Sequence, residues 1–263
     1  MNTMNKKRMP VIFSGHGSPI IALADNEITH EMKRIGRELA ETYGKPKAIL
    51  AISGHWYVDG TYVQNAARPE QIYDMYGFPK ELYDVKYPAV GSSDLTRAVQ
   101  TALGSTVSVN DSWGIDHGTW TVLVHMFPEA DIPVVQLSVN RRLSGAESFE
   151  LGRKLHGLRD EGYLILGSGN VVHNLMLVDW DNGGGTAAAV RFNDFITDAV
   201  ISGRKEAVVQ YGMHPDAGYA VPTPDHFLPL LYCLGAAGDD DATAFNKVCN
   251  LGSMAMTGYV WGF

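Results

Sequence analysis

The chain has 263 residues, enough at roughly 150 residues per domain for one large α/β domain or two small ones, and enough to bury a substantial core. Lys plus Arg number 21 against 29 Asp plus Glu; the net charge of −8 is spread without a block of like charge, which argues against nucleic acid or an anionic membrane as the main partner. With 45% hydrophobic and 19% charged residues the composition is that of a globular protein, and no apolar run approaches the ~18 residues of a membrane span.

Near the start, Lys6, Lys7 and Arg8 precede only Val11-Ile12-Phe13 before a Ser-Gly-His-Gly turn, short of the about 7–15 apolar residues of a secretory signal. Pro10–Phe13 reads as a strand, and Ile28–Tyr43 as a helix with Ile28, Met32, Ile35 and Leu39 on one face, stopped by Gly44 and Pro46. Ala48–Ser53 is the next strand. Arg68–Val90, with five aromatic residues and three prolines but little periodicity, reads as a long irregular excursion that covers a site or packs on the surface. A helix over Ser93–Leu103, a strand over Thr106–Val109, a helix over Trp120–Phe127 and a strand over Pro133–Val139 follow.

Ser144 and Glu147 form a capping box opening a helix with Leu151, Leu155 and Leu158 on one side, and Tyr163–Leu166 is the strand after it. A Gly183-Gly184-Gly185 loop precedes a helix over Ala187–Ile201, and Thr223-Pro224 opens a last helix bearing Phe227, Leu228, Leu230 and Leu231. Strands alternating with helices predict an α/β fold, a central mainly parallel sheet flanked by helices. No repeat, low-complexity tract or linker divides the chain, so a single domain over 1–263 is expected. Cys233 and Cys249 lack zinc or redox spacing and are too few for a disulfide framework, and a cytoplasmic location is expected.

In open α/β sheets the binding crevice lies beyond the carboxyl ends of the strands. Four of the nine histidines fall there: His16 after the first strand, His55 after the second, His117 after Thr106–Val109 and His173 after Tyr163–Leu166. A fifth, His226, falls in the first turn of the last predicted helix, where a potentially cationic ring is not what the helix dipole favours. One histidine after a strand is ordinarily a turn residue, but several converging imidazoles are the usual ligands of zinc, iron or copper. His30, His125, His156 and His214 read as structural or surface residues. Trp56, Trp113 and Trp120 are either core or the wall of a pocket for a flat substrate. The Gly15-His16-Gly17-Ser18-Pro19 run lacks a phosphate-loop pattern, and Gly167-Ser168-Gly169 is only a fragment of a nucleophile elbow.

Taken in order, Gly15-His16-Gly17-Ser18-Pro19, Ser53-Gly54-His55-Trp56, Trp113-Gly114-Ile115-Asp116-His117-Gly118, Ser168 to Asn174 and Thr223-Pro224-Asp225-His226 resemble the class III extradiol ring-cleavage dioxygenases, in particular their 4,5-DOPA extradiol dioxygenase branch. The resemblance spans almost the whole chain from about Pro10. It implies a single α/β domain, one divalent non-haem metal per chain, and opening of a catechol such as L-DOPA by O2 beside its two hydroxyls. It makes His16, His55 and His226 metal ligands. It makes His173 an acid–base catalyst that this branch also counts in its zinc-coordinating group, and His117 a catalytic or substrate-facing neighbour. Better-known members complete their ligand triad with a glutamate where this chain offers His226. An all-imidazole set suits Zn(II) as the bound species as well as the Fe(II) expected for dioxygenase turnover. A zinc hydrolase and a Memo-like binding protein on the same fold are the alternative readings, and the oligomeric state is left open.

Overall fold

Alternation along the strands decides which helix lies on which face of the sheet. The computed structural model describes residues 8–263, so Lys6 and Lys7, and with them most of the expectation about a leader, lie outside the described residues. The chain runs β1 (Val11–Gly15), α1 (Glu27–Tyr43), β2 (Ala48–Val58), β3 (Thr61–Val63), α2 (Lys80–Asp84) and α3 (Ser93–Leu103). Next come β4 (Val107–Val109), α4 (His117–Met126), β5 (Val134–Asn140), α5 (Gly145–Lys154) and β6 (Tyr163–Gly169). The rest carries α6 (Ala187–Ile201), α7 (Lys205–Val209), α8 (Ala217–Ala220), α9 (Leu228–Ala237), β7 (Ala242–Phe245), β8 (Cys249–Asn250), β9 (Met254–Ala255) and β10 (Gly258–Trp261).

The main sheet has eight strands in the order β4-β3-β5-β2-β6-β1-β10-β7. Its centre, β5-β2-β6-β1, is parallel throughout, and its strands are buried on both faces as parallel strands must be. Val11, Phe13, Leu50, Ile52 and Ile165 point to one face, where residues of α3, α5, α6 and α9 join them. Their neighbours Ile12, Ile49, Ala51, Leu164 and Leu166 point to the other, against Met32, Ile35 and Leu39 of α1 and Trp120, Val122 and Leu123 of α4. Each such fully buried large side chain contributes roughly 1.5–3 kcal/mol by leaving water. All ten residues of α9 are buried, because it lies on the sheet and is itself covered by α5; a helix apolar all round has no other place.

Three details depart from the expectations. α4 starts at His117, three residues before Trp120, because Asp116 caps it by accepting the Thr119 N–H at 3.1 Å. β2 continues past Ser53 to Val58, so His55 lies within the strand rather than after it. α9 starts at Leu228, leaving His226 in the turn before the helix rather than in its first turn; the Phe227 and Leu228 N–H groups close that turn on the Pro224 carbonyl. The sheet is mainly parallel as expected, with antiparallel pairs where β10 meets β1 and β7 and where β3 meets β5.

Candidate metal centre

The carboxyl ends of the parallel strands bring the histidines together. His16 is the residue after β1, and its N–H donates to the Gly169 carbonyl at the end of β6 at 3.1 Å. His55 rides on a bulge. Ile52 stands opposite Leu137 and Tyr57 opposite Val139, so five steps along β2 face two along β5, and the surplus turns the His55 ring towards the crevice. His117 opens α4, and His173 follows the Asn170–Val172 loop after β6, its N–H bound to the Ala220 carbonyl at 2.9 Å. The Asp225-His226 turn is pressed against the ends of β2 and β6. A Cβ on Gly54 would lie 2.8 Å from the Asp225 carbonyl oxygen and one on Gly169 would collide with that of His226, so only glycine admits the turn at these two positions.

The ring centroids of His16, His55 and His226 lie 4.9–5.1 Å apart, a nearly equilateral triangle. Their Nδ1 atoms all face outwards to fixed partners. Ser168 Oγ–H donates to the Gly118 carbonyl, which leaves the hydroxyl to accept from His16 Nδ1–H at 2.9 Å. His55 Nδ1 donates to Asp74 Oδ2 at 2.9 Å, and His226 Nδ1 to Asp225 Oδ2. The proton on each Nδ1 places the lone pair on Nε2, inside the triangle. His16 and His55 present Nε2 atoms 3.3 Å apart, and two nitrogens each about 2.0–2.1 Å from one tetrahedral ion are separated by about this distance. His226 Nε2 is buried without any hydrogen-bond partner, a state that leaves its desolvation uncompensated unless an ion or proton donor meets it. The residues present therefore fit a divalent ion with three imidazole ligands.

Two further imidazoles flank the triangle. His117 packs edge-on to His55 with centroids 4.0 Å apart, and its Nδ1 donates to Asp74 Oδ1 at 2.8 Å. His173 lies flat on His226, centroids 3.6 Å apart and planes within 6°. A ligand lone pair lies in its ring plane, so two rings stacked this way would not both aim a lone pair at one site.

Electrostatics follow from burial and these pairings. Burial, reinforced by the neighbouring imidazoles, holds His16 well below the ordinary histidine range, and burial likewise lowers His226. His173 is pushed down to about 2 by burial and by His226. His55 behaves oppositely: burial pulls it down, but the Asp74 hydrogen bond and the charges of Asp116, Asp74 and Asp225 raise it overall. When His55 takes up a second proton, its Nε2–H can donate to His16 Nε2 at 3.3 Å, a proton bridge across the face of the triangle. Burial opposes ionisation of Asp74 and Asp225, yet the histidines they accept from keep both carboxyls well below the usual carboxylate range.

Three acidic residues of this network, Asp74, Asp116 and Asp225, were not among the sequence candidates. Asp74 sits in the irregular Arg68–Val90 segment and also accepts the His117 backbone N–H at 3.0 Å. Asp116 was quoted only as part of a motif, yet it is wholly buried and accepts from Ser53 Oγ at 2.8 Å, Trp113 Nε1 at 3.1 Å and Gln136 Nε2, tying β2, β5 and α4 beneath His55. Asp116 and Asp225 each stood directly before a histidine in a quoted motif, whereas Asp74 lies 19 residues from the nearer of its two histidines.

All five histidines line one cavity of about 460 Å³, whose other walls include Pro19, Met75, Phe78, Leu175, Trp180 and Met254. Trp56, Trp113 and Trp120 do not line it: Trp56 and Trp120 are core, and Trp113 stacks on Trp56 while donating to Asp116. His125 and His156 bind backbone carbonyls at 2.8 Å, while His30 is exposed beside Asp25.

A family model described as the catalytic LigB subunit of aromatic ring-opening dioxygenase matches residues 10–261. The chain is 42% identical over 260 residues to the 4,5-DOPA dioxygenase extradiol of Escherichia coli K12, covering 96% of this chain and 94% of that protein. It is 39% identical over 233 residues to the protein of the same name from Beta vulgaris, covering 87% of each. The crystal structure of an uncharacterized Escherichia coli K12 protein superposes with a TM-score of 0.83 at 37% identity, over 97% of this chain and all of that one. With the family match running almost from end to end and the histidine-lined cavity at the expected edge of the sheet, the chain belongs to the LigB family and is an aromatic ring-opening dioxygenase acting on a small molecule with O2.

Proposed function

We propose that this enzyme opens the ring of a catechol such as L-DOPA by 4,5-extradiol cleavage, with one divalent ion per chain held by His16, His55 and His226. The observation that carries the metal assignment is the inward Nε2 of His226, buried without a partner while Asp225 fixes Nδ1. The relatives' names support the substrate class. When bound, Fe(II) supplies open coordination positions and the redox chemistry that O2 requires, whereas Zn(II) fits the same imidazoles without passing electrons.

The chain's own residues then divide the remaining work. His173 lies flat on His226 at the edge of the cavity, an arrangement that favours proton transfer over ligation; on this reading it accepts the proton of a catechol hydroxyl and returns it later. His117 faces the substrate with its Nδ1 fixed by Asp74, leaving Nε2 free to accept a hydrogen bond. Met75, Phe78 and Met254 give the aromatic ring apolar walls. On this reading residues 1–263 form one catalytic domain, acting in the cytoplasm; among the described residues no helix is long and apolar enough to cross a membrane.

The test is anaerobic reconstitution with Fe(II) or Zn(II), then a catechol panel under air in an oxygen electrode. The Fe(II) form should consume O2 with DOPA or a related catechol and give a yellow ring-opened product, and the Zn(II) form should bind catechol without turnover. An Fe(II) enzyme that leaves a broad panel untouched refutes this reading and hands the site to a zinc hydrolase or a binding protein.

A further inference from the structure

The cavity says more about the substituent on the ring than about the ring. Its only formally charged lining residue, histidines aside, is the Asp74 carboxylate; no lysine or arginine among the described residues lines it. Asp225, behind His226, adds a second carboxylate, and together the two balance the charge of a divalent ion. A catecholate bound beside that ion already makes the site net negative. The walls outside the histidines and Asp74 are mostly apolar, and two separate segments supply much of them: Tyr76 and Phe78 in the irregular excursion, Leu175, Val178 and Trp180 in the stretch after His173. Tyr76, Leu175 and Trp180 stand 92%, 64% and 74% exposed, which places them at the mouth, where a ring substituent emerges. A carboxylate at that mouth meets apolar surface and a net negative interior, with no guanidinium or ammonium to receive it. The protein's overall charge of −8 adds nothing in its favour.

Resting on the catechol reading above, we propose that the site selects catechols whose ring substituent is uncharged or cationic, and discriminates against catechol carboxylates. An uncharged chain lies against Leu175 and Trp180, and an ammonium gains from the indole face of Trp180 and from the negative interior. L-DOPA, bearing one charge of each sign on its side chain, ranks between the two groups.

The probes are 4-propylcatechol, dopamine and 3,4-dihydroxyphenylacetate, titrated calorimetrically into the zinc-loaded protein, where binding is read without turnover, and compared by kcat/KM in the Fe(II) enzyme. The acid should bind at least about tenfold more weakly than 4-propylcatechol, about 1.4 kcal/mol. Leu175→Arg, an exposed position outside the histidine set, should raise the affinity for the acid relative to that for 4-propylcatechol about tenfold; Trp180→Arg serves as the second variant. Equal or tighter binding of the acid, or an acid-to-neutral ratio that neither variant moves, overturns the selectivity while leaving ring cleavage intact. A panel in which no catechol binds or is consumed overturns the function reading itself, and this inference with it.

Discussion

Replacing Asp74 by asparagine isolates one job, the fixing of two imidazole tautomers by one carboxylate. In the native protein Asp74 Oδ2 accepts from His55 Nδ1 at 2.9 Å and Oδ1 accepts from His117 Nδ1 at 2.8 Å, so each oxygen has its own ring. Asparagine keeps one acceptor oxygen and sets an N–H donor where the other stood. One histidine must then move its proton to Nε2. If His55 does so, its lone pair leaves the ligand triangle; if His117 does so, His55 still loses the charge that made it a stronger donor. Removal of such an outer partner typically costs about 10–100-fold in metal affinity. Fold should survive, because Asp74 lies in the irregular segment and asparagine keeps its size in a crevice outside the apolar core. The assay is zinc affinity by chelator competition at pH 7.5, with far-UV circular dichroism and Tm of the ion-free protein as controls. Native zinc affinity in a folded Asp74→Asn protein would refute the tautomer argument.

Four other outcomes follow from the same geometry. His16→Ala and His226→Ala should each abolish stoichiometric metal, whereas His173→Ala should keep metal and catechol binding but lower kcat by about 10²–10⁴-fold; metal analysis beside steady-state kinetics separates them, and loss of metal in His173→Ala would make it a ligand. Because a metal ion displaces the proton that Asp74 and its neighbours favour on His55, zinc affinity should fall about tenfold per pH unit below the raised His55 value, and a flat profile would contradict the proton bridge. Asp74 and Asp225 have depressed folded-state values, so their stabilising contribution is present above the unfolded carboxylate range near pH 4 and is lost as pH falls towards the folded values. Urea midpoints of the ion-free protein should therefore drop between about pH 5 and pH 3, less steeply in Asp225→Asn. Gly169→Ala should cost about 1–3 kcal/mol through overpacking against the His226 carbonyl, measured by urea unfolding, with metal affinity falling as the turn is displaced.

What could be read from the sequence was whatever has a short local signature. Ser144 and Glu147 mark their helix because the capping box is complete within four residues, and both side-chain contacts are present. The histidines stood out because each follows an apolar run and is flanked by glycines. Asp74 had no such signature: its partners lie 19 and 43 residues away, and its segment obeys neither helical nor strand periodicity. Gln136 is hidden for a related reason, as a polar residue in the middle of a strand otherwise buried for packing, where it serves Asp116. The placement of His226 before α9 rather than inside it turned on a backbone turn at Pro224, and element boundaries of that kind are decided by tertiary contact.

The seat of β1 between β6 and β10 bears on how the enzyme comes into being. Val11, Ile12 and Phe13 pair with Trp261, Val260 and Tyr259, so the strand that delivers His16 has one flank completed only by residues some 250 positions later. On a ribosome, β1 emerges some 250 residues before β10 and waits for it, exposing an unpaired apolar edge that invites association with other nascent chains. Closure of so distant a pairing is slow, and the crevice cannot acquire an ion in its finished form until it happens. Maturation of this oxygenase is in that sense a question of synthesis time: metal capture comes last, after β1 and β10 have met.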